Sequence, residues 1–87
     1  MRDFTYLRTN GNTHSIQLSE ATIRFFSMTG DFKNEEEAIK AIYDIVQNEA
    51  KEADHIYLTA TSIEWRLLIQ SYINIQNGKS LSFVDDF

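Results

Sequence analysis

The stretch NEEEAIKAIYDIVQNEAKE, from Asn34 to Glu52, decides the fold because all its local signals predict one amphipathic helix. Asn34 suits the N-cap position, and Glu37 stands three residues on, where its carboxylate can reach back to the cap. Glu35, Glu36 and Glu37 fill the first turn, where the helix dipole favours negative charge. Apolar residues at three-to-four spacing form one face: Ile39, Ile42, Tyr43, Val46 and Ala50. We predict a scaffold helix with no chemistry of its own.

A β-hairpin is predicted before this helix. Strand-like runs at residues 4–9 and 13–18 flank Asn10-Gly11-Asn12, and Asn-Gly between such runs is a strong hairpin signal. Phe4 and Tyr6 alternate with polar neighbours, so one hairpin face should cover the core.

Residues 20–29 carry signals for two different structures. A helix would start at Ser19 as N-cap and place Ala21, Phe25 and Met28 on one side. The run TIRFFSM is also rich in the β-branched and aromatic residues that favour strands. We favour a short helix, and a strand stays the alternative.

The C-terminal third predicts a strand, a helix and a strand. Residues 55–60 alternate in polarity, and Thr61-Ser62-Ile63-Glu64 has the form of a capping box that opens a helix. The apolar stripe of that helix places its tryptophan in the core; the stripe consists of Trp65, Leu68, Ile69, Tyr72 and Ile75. Asn77-Gly78 supplies the C-cap, and residues 80–84 form a last short strand.

The predicted fold class is α+β in a single domain, residues 1–87. A small, mostly antiparallel sheet, built from the hairpin and two C-terminal strands, packs against two main helices at about 34–52 and 62–76. The 87 residues contain no cysteine, which excludes a disulfide framework and a thiolate zinc site. No signal-peptide core or membrane-length apolar run is present, so we predict a cytoplasmic protein with no membrane partner.

The sequence offers no recognisable reaction chemistry. His14 and His55 are interpreted as ordinary surface histidines, since no motif supplies a nucleophile beside them. Three glycines cannot build a phosphate-cradling loop, and no serine lies in a G-x-S-x-G context. We therefore predict a protein that is not an enzyme, with no catalytic residues, no cofactor and no metal.

The net charge of the chain indicates a binding function. Thirteen acidic residues against eight basic ones give a net charge of −5, which disfavours broad contact with polyanions. We expect a regulator or inhibitor that docks on a basic protein surface, a character shared by phage inhibitors of nucleic-acid enzymes such as anti-CRISPR and anti-restriction proteins. The candidate partner-binding residues are Glu35, Glu36, Glu37, Asp85 and Asp86. A solvated helix face and a frayed terminus are the simpler interpretations of these same residues.

Residues 13–47 carry a partial resemblance to another class of protein. The segments THSIQLSE, ATIRFFSMTG and NEEEAIKAIYDIV follow one another as strand, helix and helix do in the ribbon-helix-helix repressors, which this part of the chain resembles. The resemblance implies a homodimeric DNA-binding repressor or antitoxin in which Thr13, Ser15 and Gln17 read bases in the major groove. The strand lacks the usual Lys or Arg, the first helix is about one turn short, and the connector is longer than usual.

Overall fold

In a computed structural model that describes residues 1–52 and 58–78, two strands precede three helices. The elements are β1 (Arg2–Leu7), β2 (Thr13–Leu18), α1 (Glu20–Thr29), α2 (Glu35–Glu52) and α3 (Ala60–Gln76). Within these described ranges, no helix combines the length and the apolar character that crossing a membrane requires.

The predicted hairpin is confirmed. Strands β1 and β2 pair antiparallel, with Phe4 opposite Ile16 and Tyr6 opposite His14. The Arg8 N–H donates to the Asn12 carbonyl at 2.8 Å, which leaves residues 9–11 as a three-residue loop. Gly11 adopts φ +90°, a left-handed conformation that other residues rarely enter, so the loop requires glycine there.

The ambiguous segment is a helix, and the strand alternative is wrong. The Ser19 hydroxyl accepts a hydrogen bond from the Thr22 N–H at 3.1 Å and caps the start of α1. Ile23 and Phe26 are buried against the rest of the core. Local capping and burial of an apolar stripe therefore outweigh the strand propensity of this run.

The helix predicted from residue 34 is confirmed as α2, with its cap at Asn34. The Asn34 side-chain oxygen accepts from the Glu37 N–H at 3.0 Å, and the Glu37 carboxylate accepts from the Lys33 N–H at 3.2 Å. In a capping box this carboxylate would accept from the N–H of the cap residue, Asn34, but here it accepts from the N–H of the residue before it, Lys33. Tyr43 departs from the predicted buried face, because it is 41% exposed and its hydroxyl donates to the Asp3 carbonyl.

The core lies between the inner face of the hairpin and the three helices. Its fully enclosed members come from every element: Phe4, Leu18, Ile23, Ile42, Val46, Ile63 and Leu67. Helix α2 packs on β1, while α3 packs mainly on α1. Within residues 1–52 and 58–78, this packing covers one side of α3 and leaves the opposite side exposed.

The predicted four-stranded sheet is wrong, because the sheet in the described residues contains β1 and β2 alone. Of the predicted strand at 55–60, Leu58 and Thr59 belong to no strand, and Ala60 already begins α3. These residues do not form a strand because Thr59 is the N-cap of α3. Its hydroxyl accepts a hydrogen bond from the Ser62 N–H at 3.1 Å. The helix thus starts before the predicted Thr61 cap. Residues 53–57 and the strand predicted at 80–84 lie outside the described residues.

Candidate functional site

The predicted acidic site is only partly within the described residues. Glu36 and Glu37 are exposed at the start of α2 and Glu35 is half-buried beside them, whereas Asp85 and Asp86 lie outside the described residues. Glu37 is already engaged in capping α2. The three glutamates therefore share one helix turn, and part of this cluster has a structural role.

The residues implied by the ribbon-helix-helix resemblance share one surface. Thr13, Ser15 and Gln17 are all exposed on the outer face of the hairpin. Their cross-strand neighbours on β1 are Leu7, Thr5 and Asp3, so this face carries one acidic residue and no Lys or Arg. Phosphate contacts need basic residues, which this face does not provide. Base reading by β2 stays a prediction.

The described histidine lies in an aromatic contact. His14 is half-buried, with its ring centroid 5.9 Å from that of Tyr6, while His55 lies outside the described residues. Among residues 1–52 and 58–78, no group of three or more His, Asp or Glu side chains is placed to hold a metal ion.

Helix α3 presents a different face to the core from the one its apolar stripe predicts. The buried positions are Ile63, Leu67, Ser71 and Asn74. Trp65, predicted in the core, is 63% exposed, and Tyr72 is 60% exposed. The prediction that this stripe packs in the core is therefore wrong for four of its five members, since Ile69 and Ile75 are also exposed and Leu68 is half-buried.

Two hydrogen bonds explain how polar residues occupy the buried face of α3. The Ser71 hydroxyl donates to the Leu67 carbonyl at 2.8 Å, and the Gln70 amide donates to the Asn74 side-chain oxygen at 3.0 Å. Burying a polar group costs little once it is hydrogen-bonded. The small size of Ser71, fully buried, also permits close approach of the neighbouring α1.

Glu64 fixes the rotation of α3 about its own axis. Its carboxylate accepts from the Ser19 N–H and from the Thr22 hydroxyl, each at 3.1 Å, so this position must face α1. Successive helix residues are about 100° apart, so Trp65 lies to one side of the position that faces α1 and is left exposed. The hydrogen bonds of Glu64 to α1 therefore leave the side chain of Trp65 exposed to solvent. Tyr72, on the same side of α3 as Trp65, still contacts α1, with its ring centroid 5.8 Å from that of Phe25.

The outcome is a broad apolar surface that we call the α3 face. Its exposed fractions range from 42% to 63%, and its members are Trp65, Ile69, Tyr72, Ile73 and Ile75. No charged residue occurs from Leu67 to Gln76, which is unusual for the outer side of a surface helix. Contiguous exposed apolar area of this kind marks interaction sites in soluble proteins.

A groove of about 460 Å³ runs between the α3 face and α2. It is lined by apolar side chains, Ile45 of α2 with Trp65, Ile69 and Ile73, and by Ser62, Arg66 and Gln70. The Arg66 guanidinium is held by the Glu49 carboxylate at 2.9 Å. The groove therefore offers apolar burial with a few polar groups, which suits docking of another side chain rather than proton transfer.

Comparison with known proteins adds no relative, since the chain matches no protein-family model, no curated protein and no solved structure. In the part of the chain that the structure describes, the fold is a small α+β domain in which α3 exposes an apolar face. The sequence signal that could have revealed this face is the uncharged run from Leu67 to Gln76.

Proposed function

We propose that this protein acts by binding proteins, as a non-enzymatic regulator or inhibitor, and that the α3 face is its docking surface. The observation that carries the proposal is the exposure of two aromatic and three isoleucine side chains on one helix. Tryptophan and tyrosine are the residues most often found at the energetic centre of protein interfaces. Trp65 and Tyr72 supply both.

The acidic character of the chain supports a partner with a basic surface. At a net charge of −5, the protein attracts basic surfaces at long range and speeds encounter with them. Exposed Glu36 and Asp44 on α2 present negative charge outside the apolar contact. We propose that these charges steer association with a basic partner.

Quantitative affinity capture from host cells tests the docking surface. We expect proteins, a second untagged copy of this chain included, to be recovered with the wild type and lost with the double variant Ile69→Ser/Tyr72→Ser. Leu7→Ser is the matched control, because Leu7 is 51% exposed on the hairpin and Ile69 is 55% exposed. Equal recovery with all three baits would refute the proposal.

The steering role has its own test. Reversing Glu35 and Glu36 to lysine should slow association with the captured partner at low salt. Glu37 is kept because its carboxylate accepts from the Lys33 N–H just before α2. Dissociation should change little. An unchanged association rate at low salt would show that these glutamates do not steer binding.

A further inference from the structure

We infer that the occupant of the α3 face is a second copy of this chain, whose own α3 packs against it antiparallel about a two-fold axis at Ile69. This inference rests on the proposed function, because it names a partner for the same docking surface. Three observations carry it: the absence of charge on the face, the spacing of its side chains and its area.

The distribution of charge favours self-association at this face. Two chains of net charge −5 repel each other wherever their acidic surfaces meet. The α3 face avoids this repulsion, because the chain has no charged residue from Leu67 to Gln76. Of the two charges earlier in α3, Glu64 is bonded towards α1 and Arg66 is paired with Glu49. The face therefore sets no like charges against each other when two copies meet there.

The spacing of the side chains supplies the geometry. Trp65, Ile69 and Ile73 are four residues apart and form one ridge along α3. An antiparallel copy with its two-fold axis at Ile69 sets Trp65 opposite Ile73 of the second copy, and each Ile69 opposite the other. The second ridge then enters the groove beside Ile45. Helix pairs in which the i±4 ridge of each helix packs into the groove beside the ridge of the other are the commonest class.

The area of the face matches what a stable dimer needs. Taking 150 to 250 Å² for an aromatic side chain and less for isoleucine, the exposed fractions leave roughly 500 Å² of apolar area per chain. A standard interface buries about 800 Å² per partner, and homodimer interfaces are about 65% apolar. The two estimates agree only when all five side chains are buried, so the second copy must cover Tyr72 and Ile75 beside the ridge as well as the ridge itself.

The solution mass tests the inference directly. Sedimentation equilibrium of the full chain across a wide concentration range should give twice the chain mass for the wild type and for the Leu7→Ser control. Ile69→Glu should weaken the dimer about 30-fold or more, because it places two carboxylates together at the axis. A wild-type monomer at every concentration, or an undiminished dimer in Ile69→Glu, would overturn the inference.

A charge-complementation experiment tests the two-fold axis. Ile69→Glu and Ile69→Lys should each be monomeric alone and should form a one-to-one dimer when mixed, since residue 69 meets its own counterpart. Ile69 is 55% exposed, so neither variant removes a core residue, and circular dichroism should confirm that both are folded. If the mixture stays monomeric, the arrangement at Ile69 is wrong.

These outcomes separate the inference from the proposed function. A monomeric wild type whose captured partner still depends on Ile69 and Tyr72 would refute self-association and leave the docking surface standing. A monomer whose capture is indifferent to the α3 face would refute both.

Discussion

The carboxylate of Glu64 in α3 accepts a hydrogen bond from the backbone N–H of Ser19, 3.1 Å away and 45 residues earlier in the chain. Ser19 is the N-cap of α1, and in a capping box its N–H is satisfied by a residue of the same helix. Here the third residue of α1 is Thr22, whose hydroxyl also donates to Glu64. One helix therefore supplies the capping carboxylate of another.

Removing this carboxylate should loosen the contact between α1 and α3. We expect Glu64→Ala to lower the free energy of unfolding by about 1 to 2 kcal/mol, because two part-buried donors lose a charged acceptor. Urea denaturation measures the change, with the exposed Glu52→Ala as control. A double-mutant cycle with Thr22→Ala should show coupling between the two positions, and additive effects would contradict the assigned bond.

The two faces of α3 should respond differently to truncation. Leu67 is fully buried, so Leu67→Ala should cost about 2 to 5 kcal/mol of stability. Trp65→Ala removes a larger side chain but one that is 63% exposed, and it should cost less than about 1 kcal/mol in the monomer. Thermal denaturation of both variants at low protein concentration decides this. The reverse order would mean that Trp65 belongs to the core.

Gln47 of α2 should protect the outer edge of β1. Its side chain accepts from the Leu7 N–H at 2.9 Å and donates to the Leu7 carbonyl at 2.8 Å, as a neighbouring strand would. Gln47→Ala should cost about 1 kcal/mol and speed hydrogen exchange at the Leu7 amide. The adjacent, exposed Asn48→Ala should leave that amide unchanged. Unaltered Leu7 exchange in Gln47→Ala would argue against the bond.

Gly30 should tolerate no side chain while Phe32 keeps its position. A Cβ at residue 30 would overlap the Phe32 ring, whose centroid lies 5.4 Å from that of the Phe26 ring. Gly30→Ala should therefore destabilise the fold by about 1 to 3 kcal/mol. Chemical denaturation of Gly30→Ala in the Phe32→Ala background supplies the control. The penalty should shrink there, and a penalty of the same size in both backgrounds would exclude the ring as its cause.

The parts of the fold that could be predicted are those specified by neighbouring residues. The hairpin follows from Asn10-Gly11 between alternating runs, and the cap of α2 follows from Asn34 and Glu37. Both signals act within about four residues and need no knowledge of the rest of the chain.

The rotation of α3 could not be predicted, because it depends on contacts distant in sequence. Periodicity assigns the apolar stripe to the core by assuming that polar residues face water. Ser71 and Asn74 break that assumption through hydrogen bonds within α3, and Glu64 breaks it through Ser19. The candidate site exists because buried polar residues turn the apolar stripe outward. A prediction from apolar spacing alone therefore places Trp65 in the core.

The position of Trp65 also makes the protein its own optical reporter. It is the sole tryptophan in the chain, and 63% of it is open to water on the α3 face. Indole emission shifts to shorter wavelength when water is excluded, so the fluorescence spectrum should register occupancy of that face without any added label. Tryptophan fluorescence usually reports unfolding, because most tryptophans are buried. In this protein it should report binding at the α3 face.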